Sequence, residues 1–413
     1  ASRRADALLV SALDAVAWLF NIRGRDTAYN PITIAYGLVT SGQASLFIDA
    51  RKLPDGVRQR LGSQITIRPY EDLEAALREL AAERRRVWAE EAGTSRWAAD
   101  LLKDCPLVTE PSPIHLMKAR KNATEIAGMK AAHVRDGVAM VRFLRWLSEA
   151  VGREELTESD VARQLEALRA EGEHFQGLSF DTISAYGEHA ALPHYRTIPE
   201  TDVPLKLEGM YLVDSGAQYL DGTTDITRTV LLGRRAPARY REEFTRVLKG
   251  HIAMATARFP TGVKGYRLDV LARVPLWEAG LDYNHGTGHG IGHFLCVHEG
   301  PQSISSREGG EALEPGNILS NEPGHYVEGS HGIRTENLIL VVEADGPAAD
   351  GRRFLTFETI TLCPIDTRLM EPKLLTEPER HWLNDYHRRV LKTLGPLLAG
   401  PDLAWLRQAC AAI

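Results

Sequence analysis

The chain has 413 residues, enough for two or three domains with a large buried core. Its 44% hydrophobic and 25% charged residues are ordinary for a globular protein, and a net charge of -6 offers nothing to nucleic acid or to an anionic membrane surface. Four widely spaced cysteines argue against a disulfide framework and for a reducing compartment, and no apolar run approaches the ~20 residues of a membrane helix.

Residues 1–115 read as an α/β unit. Ala7–Leu13 is a buried strand, and Asp14 caps a short helix through Phe20. Thr33–Val39, Ser45–Asp49 and Gln64–Tyr70 are further strands, rich in β-branched or aromatic side chains. Glu71–Glu91 has helical periodicity, with Arg84, Arg85 and Arg86 on a solvated face. Pro106, Pro111 and Pro113 mark a boundary. The start, Ala-Ser-Arg-Arg-Ala-Asp, shows neither an initiator Met nor a signal-peptide pattern and reads as that of a shortened chain.

From residue 116 helices and antiparallel hairpins segregate, an α+β arrangement. Asn122-Ala-Thr-Glu125 is a capping box that opens a long amphipathic helix, with Ile126, Met129, Val138, Val141, Leu144 and Leu147 on its apolar side. Thr157-Glu-Ser-Asp160 opens another helix, and Pro237–Arg258 and Lys264–Ala279 are a third and a fourth. Between them lie strands at Thr182–Tyr186, Met210–Tyr219, Ile226–Leu232, Asn317–Asn321 and Ile333–Val342.

One stretch stands out: four histidines, His285, His289, His293 and His298, fall within fourteen residues, with glycine at every second position from Gly286 to Gly292. Histidine is the commonest metal ligand, and glycine lets backbone approach closely. His298-Glu299 has no histidine three residues on, so the helical zinc-protease motif is absent; Ile291 occupies the place of the last glycine of a dinucleotide fingerprint. Taken alone, the cluster is equally compatible with a satisfied loop network.

Carboxylates supply the second signal. In Met210–Tyr219 strand alternation puts Asp214 on the face of Met210 and Leu212. Asp221-Gly222 is a turn, and the returning strand brings Asp225 close to opposite Asp214, which is destabilising unless something positive lies between them. Turn caps or exposed positions are the competing reading. Glu322 ends a strand before Pro323-Gly324, and Glu336 shares a face with Arg334, Leu338 and Leu340; Arg334 could be its whole partner in an ion pair. Two aspartates, two glutamates and one histidine form a coherent set. Four negative charges match two divalent cations, and oxygen-rich ligation favours hard or borderline ions such as Mn²⁺. Two such ions can share and acidify a water, which suits amide hydrolysis.

These residues resemble the pita-bread metallopeptidases, specifically the aminopeptidase P (Xaa-Pro aminopeptidase) type. The similar blocks are Tyr211–Tyr219, Asp221–Thr229, His285–His289, Val297–Pro301, Asn321–Gly324 and Gly332–Asn337, with Leu192–Tyr195. Phe354–Glu358 and Trp382–His387 resemble the tail of the long, three-domain form. The resemblance implies a creatinase-N-like domain over 1–115, a pita-bread catalytic domain over 116–413, and a further α/β domain lacking ahead of them. It implies that Asp214, Asp225 and Glu336 hold one manganese and Asp225, His289, Glu322 and Glu336 the other. The implied reaction is removal of an N-terminal residue that precedes proline, by a hydroxide held between the two metals. In it Glu322 carries the proton, His298 stabilises the oxyanion, and His194 clamps the next substrate carbonyl. His285 lines the proline pocket, and Arg334 orients a ligand carboxylate. A cytoplasmic homodimer, with Trp277 at its contact, is also implied. The alternatives are a prolidase-type dipeptidase and a non-enzymatic binding protein on the same fold.

Overall fold

Residues 4–346 and 351–413 are described by the computed structural model. The chain divides into two units, Ala1–Lys118 and Ala119–Ile413. The first unit is a mixed six-stranded sheet in the order Ile65–Arg68, Ala44–Ile48, Ala35–Thr40, Ala7–Val10, Val87–Trp88, Leu107–Val108. Neighbouring residues enter different cores: Leu9 and Phe47 pack with Leu73 and Leu77, while Val10 and Leu46 pack with Val16 and Phe20. Covering both faces explains why these strands are written as unbroken apolar runs rather than as alternations.

Two expectations for this unit are corrected. The first strand stops at Val10 and the helix Leu13–Leu19 begins three residues later; Ala12, not Asp14, is its N-cap, and Asp14 in the first turn accepts Lys118 Nζ at 2.9 Å. The helix expected over Glu71–Glu91 is Leu73–Ala82, because Val87–Trp88 must extend to pair with Ala7–Leu8. The arginine run therefore occupies the turn between them, with Arg84 at φ 50°. The prolines fall just ahead of the division at Lys118/Ala119, within ordered elements: Leu107–Val108, between Pro106 and Pro111, is an edge strand, and Pro113 starts the helix Pro113–Ala119.

In the second unit the capping box at Asn122 forms in full. Asn122 Oδ1 accepts Glu125 N–H at 3.0 Å and Glu125 Oε2 accepts Asn122 N–H at 2.9 Å. The helix runs Ala123–Ala150 and buries Met129, Val141, Leu144 and Leu147. Thr157 and Asp160 box the helix Glu158–Ala170 in the same way. Ala238–Ala255 and Asp269–Trp277 pack together, and Glu377–Leu394 and Gly400–Ala409 close the chain.

Two sheets matter for the site. One is antiparallel, in the order Ile226–Leu231, Met210–Ser215, Ile183–Tyr186. The other runs Phe259–Pro260, Phe354–Thr359, Asn337–Glu343, Ile318–Asn321, Gly288–Gly290, Glu299–Ile304. The hairpin Gly324–Val327 with His331–Arg334 stands beside them. The strand expected over Ile333–Val342 is thus two strands, broken at Thr335–Glu336.

Gly250 sets the closeness of the helices Ala238–Ala255 and Asp269–Trp277, since a Cβ there would lie 2.1 Å from the Ala272 carbonyl oxygen. Gly250→Ala should lower unfolding stability in urea by about 1–3 kcal/mol, as overpacking against backbone does, despite alanine's better helix propensity. A variant as stable as the parent would contradict that packing.

Candidate metal centre

The glycine alternation around His289 is a backbone-packing device. Gly288–Gly290 is a short strand between Glu299–Ile304 and Ile318–Asn321. A Cβ on Gly288 would meet the Ser320 carbonyl oxygen at 2.0 Å, and one on Gly290 the Glu299 carbonyl oxygen at 2.5 Å. His289 is left as the one side chain of that strand. Its Nδ1 meets the Gly290 carbonyl oxygen at 3.0 Å, which leaves Nε2 facing the carboxylates as a ligand atom.

All five sequence-selected ligands line one cavity of about 300 Å³, with His194, His285, His298 and Arg334 also on its walls. His293 is not among the lining residues. Asp214 lies in the three-stranded sheet and Asp225 immediately precedes its strand Ile226–Leu231, offset rather than opposed: Asp214 pairs with Thr227, two residues on from Asp225. Glu322 follows Asn321 at the end of its strand, and Ser320 Oγ donates to Glu322 Oε1 at 3.0 Å. Glu336 sits in the strand break, not on an alternating face with Arg334. The break lets its N–H donate to the Thr227 carbonyl oxygen at 3.2 Å, while its Oε2 accepts Thr227 Oγ1 at 2.8 Å.

Arg334 is therefore not the partner of Glu336. Its guanidinium donates to Asp214 Oδ2 at 2.5 Å, to Thr227 Oγ1 at 3.1 Å and to Tyr326 Oη at 2.7 Å. Tyr326 Oη also lies 2.8 Å from His285 Nε2. Neither Tyr326 nor Thr227 was singled out by sequence reasoning. Thr227 could have been found, since it follows Asp225 by two residues and is in register with Asp214. Tyr326 carries no such mark.

The donor set fits divalent cations. Asp214 Oδ1 is buried and has no hydrogen-bond partner among the described residues. Ligand atoms of Asp225, His289 and Glu336 lie within 4.8 Å of one another. His289 Nε2 is 3.5 Å from Asp225 Oδ2 and 3.6 Å from Glu322 Oε1. Ligands about 2.1 Å from a shared ion stand at about such spacings.

The electrostatics without a cation show the same demand. Burial pushes Asp225 up to about 6 and Glu322 up to about 7, each helped by neighbouring carboxylates. Burial, with Asp225 and Asp214 beside it, raises Glu336 well above the usual range. For His289 burial opposes the charge, but the hydrogen bond to Asp225 and the field of Glu322 outweigh it and push the imidazole up to about 9. Burial lowers His298 to about 4, and burial with Arg334 lowers His285 to about 4, so both are neutral at physiological pH.

Folded-state values raised above the unfolded ones mean that the metal-free fold binds extra protons, and that this stabilisation is lost as pH rises through about 7 for Glu322 and about 9 for His289. Between pH 6.5, the ordinary histidine value, and pH 9 the melting temperature of chelated protein should fall as pH rises. Adding Mn²⁺ should remove that slope and raise the melting temperature, by about 2.7 kcal/mol of stabilisation per site at a hundredfold excess over Kd. Calorimetry that finds neither the slope nor the metal response would sink this account of the charge balance.

Comparison with known proteins bears on the same residues. Residues 127–343 match Peptidase_M24, metallopeptidase family M24; residues 1–125 match the creatinase/prolidase N-terminal domain; and residues 353–413 match the C-terminal region of peptidase M24. A probable Xaa-Pro aminopeptidase P of Coprinopsis cinerea is 44% identical over 99% of this chain and 69% of its own length. Aminopeptidase P1 of Arabidopsis thaliana is 40% identical over 97% of this chain and 70% of its own. The crystal structure of the X-prolyl aminopeptidase of Caenorhabditis elegans, described as a cytosolic enzyme with a di-nuclear active site, superposes with a TM-score of 0.95 at 40% identity. It matches 100% of this chain and 69% of that one. A family match over more than half of the residues, with relatives at this identity, shows that the chain belongs to metallopeptidase family M24, among the Xaa-Pro aminopeptidases P.

Proposed function

We propose that this chain hydrolyses the peptide bond between an N-terminal residue and a following proline, using two divalent cations. The observation that carries the reading is the convergence of Asp214, Asp225, His289, Glu322 and Glu336 on one cavity with neutral histidines on its walls. Asp214, Asp225 and Glu336 would hold one cation, and Asp225, His289, Glu322 and Glu336 the other. When bound, the cations supply an acidified water and polarise the scissile carbonyl. Oxygen-rich ligands with one imidazole favour Mn²⁺.

The protein's own groups do the rest. Proline has no N–H at the scissile bond, so binding cannot depend on that donor, and its ring fixes φ. The His285 ring, held by Tyr326 and packed 4.9 Å from Tyr283, gives a flat wall for the proline ring. His194 donates to the substrate carbonyl beyond the scissile bond. His298 donates an N–H to the developing oxyanion. Glu322, oriented by Ser320, moves the proton from the attacking water to the leaving proline nitrogen. Arg334 keeps Asp214 in place through a short, charge-assisted hydrogen bond.

Assembly belongs to the proposal as well: a homodimer through the helix Asp269–Trp277, whose Val270, Val274 and Trp277 stand exposed at a spacing of four and three residues. A cytosolic location agrees with buried thiols at Cys105, Cys363 and Cys410. The chain spans 69% of the length of the Coprinopsis cinerea relative, and its residues 1–125 match the creatinase/prolidase N-terminal domain.

Two measurements test the reaction. Chelated protein should lose cleavage of an Arg-Pro-Pro peptide and regain it with Mn²⁺, while Arg-Ala-Pro is left intact. Equal turnover of the two peptides would sink the proline specificity, and cleavage of Xaa-Pro dipeptides alone would favour the prolidase reading. His298→Ala should lower kcat by about 100–1,000-fold, the usual loss for one oxyanion donor, with KM nearly unchanged. A rise in KM at constant kcat would instead make His298 a substrate-binding residue only.

A further inference from the structure

Glu158 lines no part of the catalytic cavity, is fully buried, and gathers donors from a single segment of chain. It is the first residue of the helix Glu158–Ala170. Its Oε1 accepts the Tyr186 N–H at 2.6 Å and meets His189 Nδ1 at 2.9 Å; its Oε2 accepts the Tyr195 hydroxyl at 2.9 Å. The His189 and Tyr195 rings stack at 4.6 Å with an interplanar angle of 22°. The start, middle and end of the segment 186–195 thus converge on one carboxylate. The segment is pinned elsewhere too: the Ala190 carbonyl oxygen lies where a Cβ on Gly332 would be, at 1.7 Å, beside the strand that ends in Arg334. Between these two fixings the chain delivers Pro193 and His194 to the cavity wall.

We propose that Glu158 is the positioning residue for His194: its carboxylate, through Tyr186, His189 and Tyr195, sets the height at which the imidazole enters the cavity. The inference rests on the Xaa-Pro reading above for its kinetic consequence, but not for its geometry. A buried carboxylate holds its donors tightly because losing any one leaves charge unsatisfied, and its hydrogen bonds are about twice as strong as neutral ones. Removing it frees the segment without touching any group that faces substrate.

The test is a mutant cycle on metal-loaded enzyme, with Arg-Pro-Pro as substrate. Glu158→Ala should lower kcat/KM by about 100-fold, the loss expected for a misplacement of about 1 Å. Glu158→Gln, which keeps an acceptor and the bulk, should recover to within about tenfold of the parent, since it loses only the charge-assisted part of the bonds. Combining Glu158→Ala with His194→Ala should cost no more than about threefold beyond His194→Ala alone, because one acts through the other. Hydrogen exchange gives a readout independent of turnover: amides of 186–195 should exchange faster in Glu158→Ala, with metal content unchanged. Losses that multiply in the double variant, or parent-like exchange and kcat/KM in Glu158→Ala, would overturn the proposal. Should Glu158→Ala not fold, Tyr195→Phe removes a single oxygen and runs through the same cycle. Were the parent itself to cleave no Xaa-Pro peptide, the functional reading would fail while the exchange arm still decided whether Glu158 holds the segment.

Discussion

Four carboxylates gathered in one cavity are the constraint on which the catalytic unit depends. Asp214, Asp225 and Glu336 are buried and Glu322 is half-buried beside them, and taking even one such ion out of water costs several kcal/mol. The chain answers with one guanidinium and one imidazole. Arg334 is itself immobilised by Asp214, Thr227 and Tyr326, so it is a fixed charge rather than a mobile one. The remaining negative charge is not met within the described residues, as the orphaned Asp214 Oδ1 shows directly. Bound cations would supply the balancing charge, which would make the fold and its ions one thermodynamic object.

Bringing those groups together requires the edge strand Ile226–Leu231 to meet the break between His331–Arg334 and Asn337–Glu343, and hydrogen bonds show where it does. Glu336 N–H donates to the Thr227 carbonyl oxygen, and the Arg334 N–H donates to Thr229 Oγ1 at 3.1 Å. Arg228 extends the junction. Its buried guanidinium donates to the carbonyl oxygens of Glu336, Cys363 and Pro364, to Asn337 Oδ1 and to Tyr386 Oη. The C-terminal helix Glu377–Leu394 is thereby tied to the strand that carries Glu336 into place. A tail that looks remote from the chemistry is part of its scaffold.

What was legible in the sequence follows the same physics. Capping boxes at Asn122 and Thr157 were readable because the whole interaction lies within four residues. Asp214 and Asp225 were readable because a carboxylate on a strand face breaks a simple alternation. The end of the helix at Ala82 was not, because the pull came from Ala7–Leu8, some eighty residues away. The break at Thr335–Glu336 was hidden for a related reason: its cause is a hydrogen bond to Thr227, and a β-rich stretch gives no local sign of it. Thr227 and Tyr326 were missed because a hydroxyl that orients a charged group looks the same in sequence as one that meets water.

The histidines make the last point, because one residue type is driven in opposite directions within a single cavity. His285 and His298 are held near 4 by burial and by nearby positive charge, so each is neutral and adds nothing to the charge balance. His289 is pushed up to about 9 by Asp225 and Glu322. A proton on His289 is what the carboxylates recruit when no stronger cation is present; a divalent ion bound there would replace it, and the proton would have to leave for Nε2 to ligate. On the proposed reading His298 would then donate to a developing oxyanion without competing for the carboxylates, which separates the groups that hold charge from the group that recognises it.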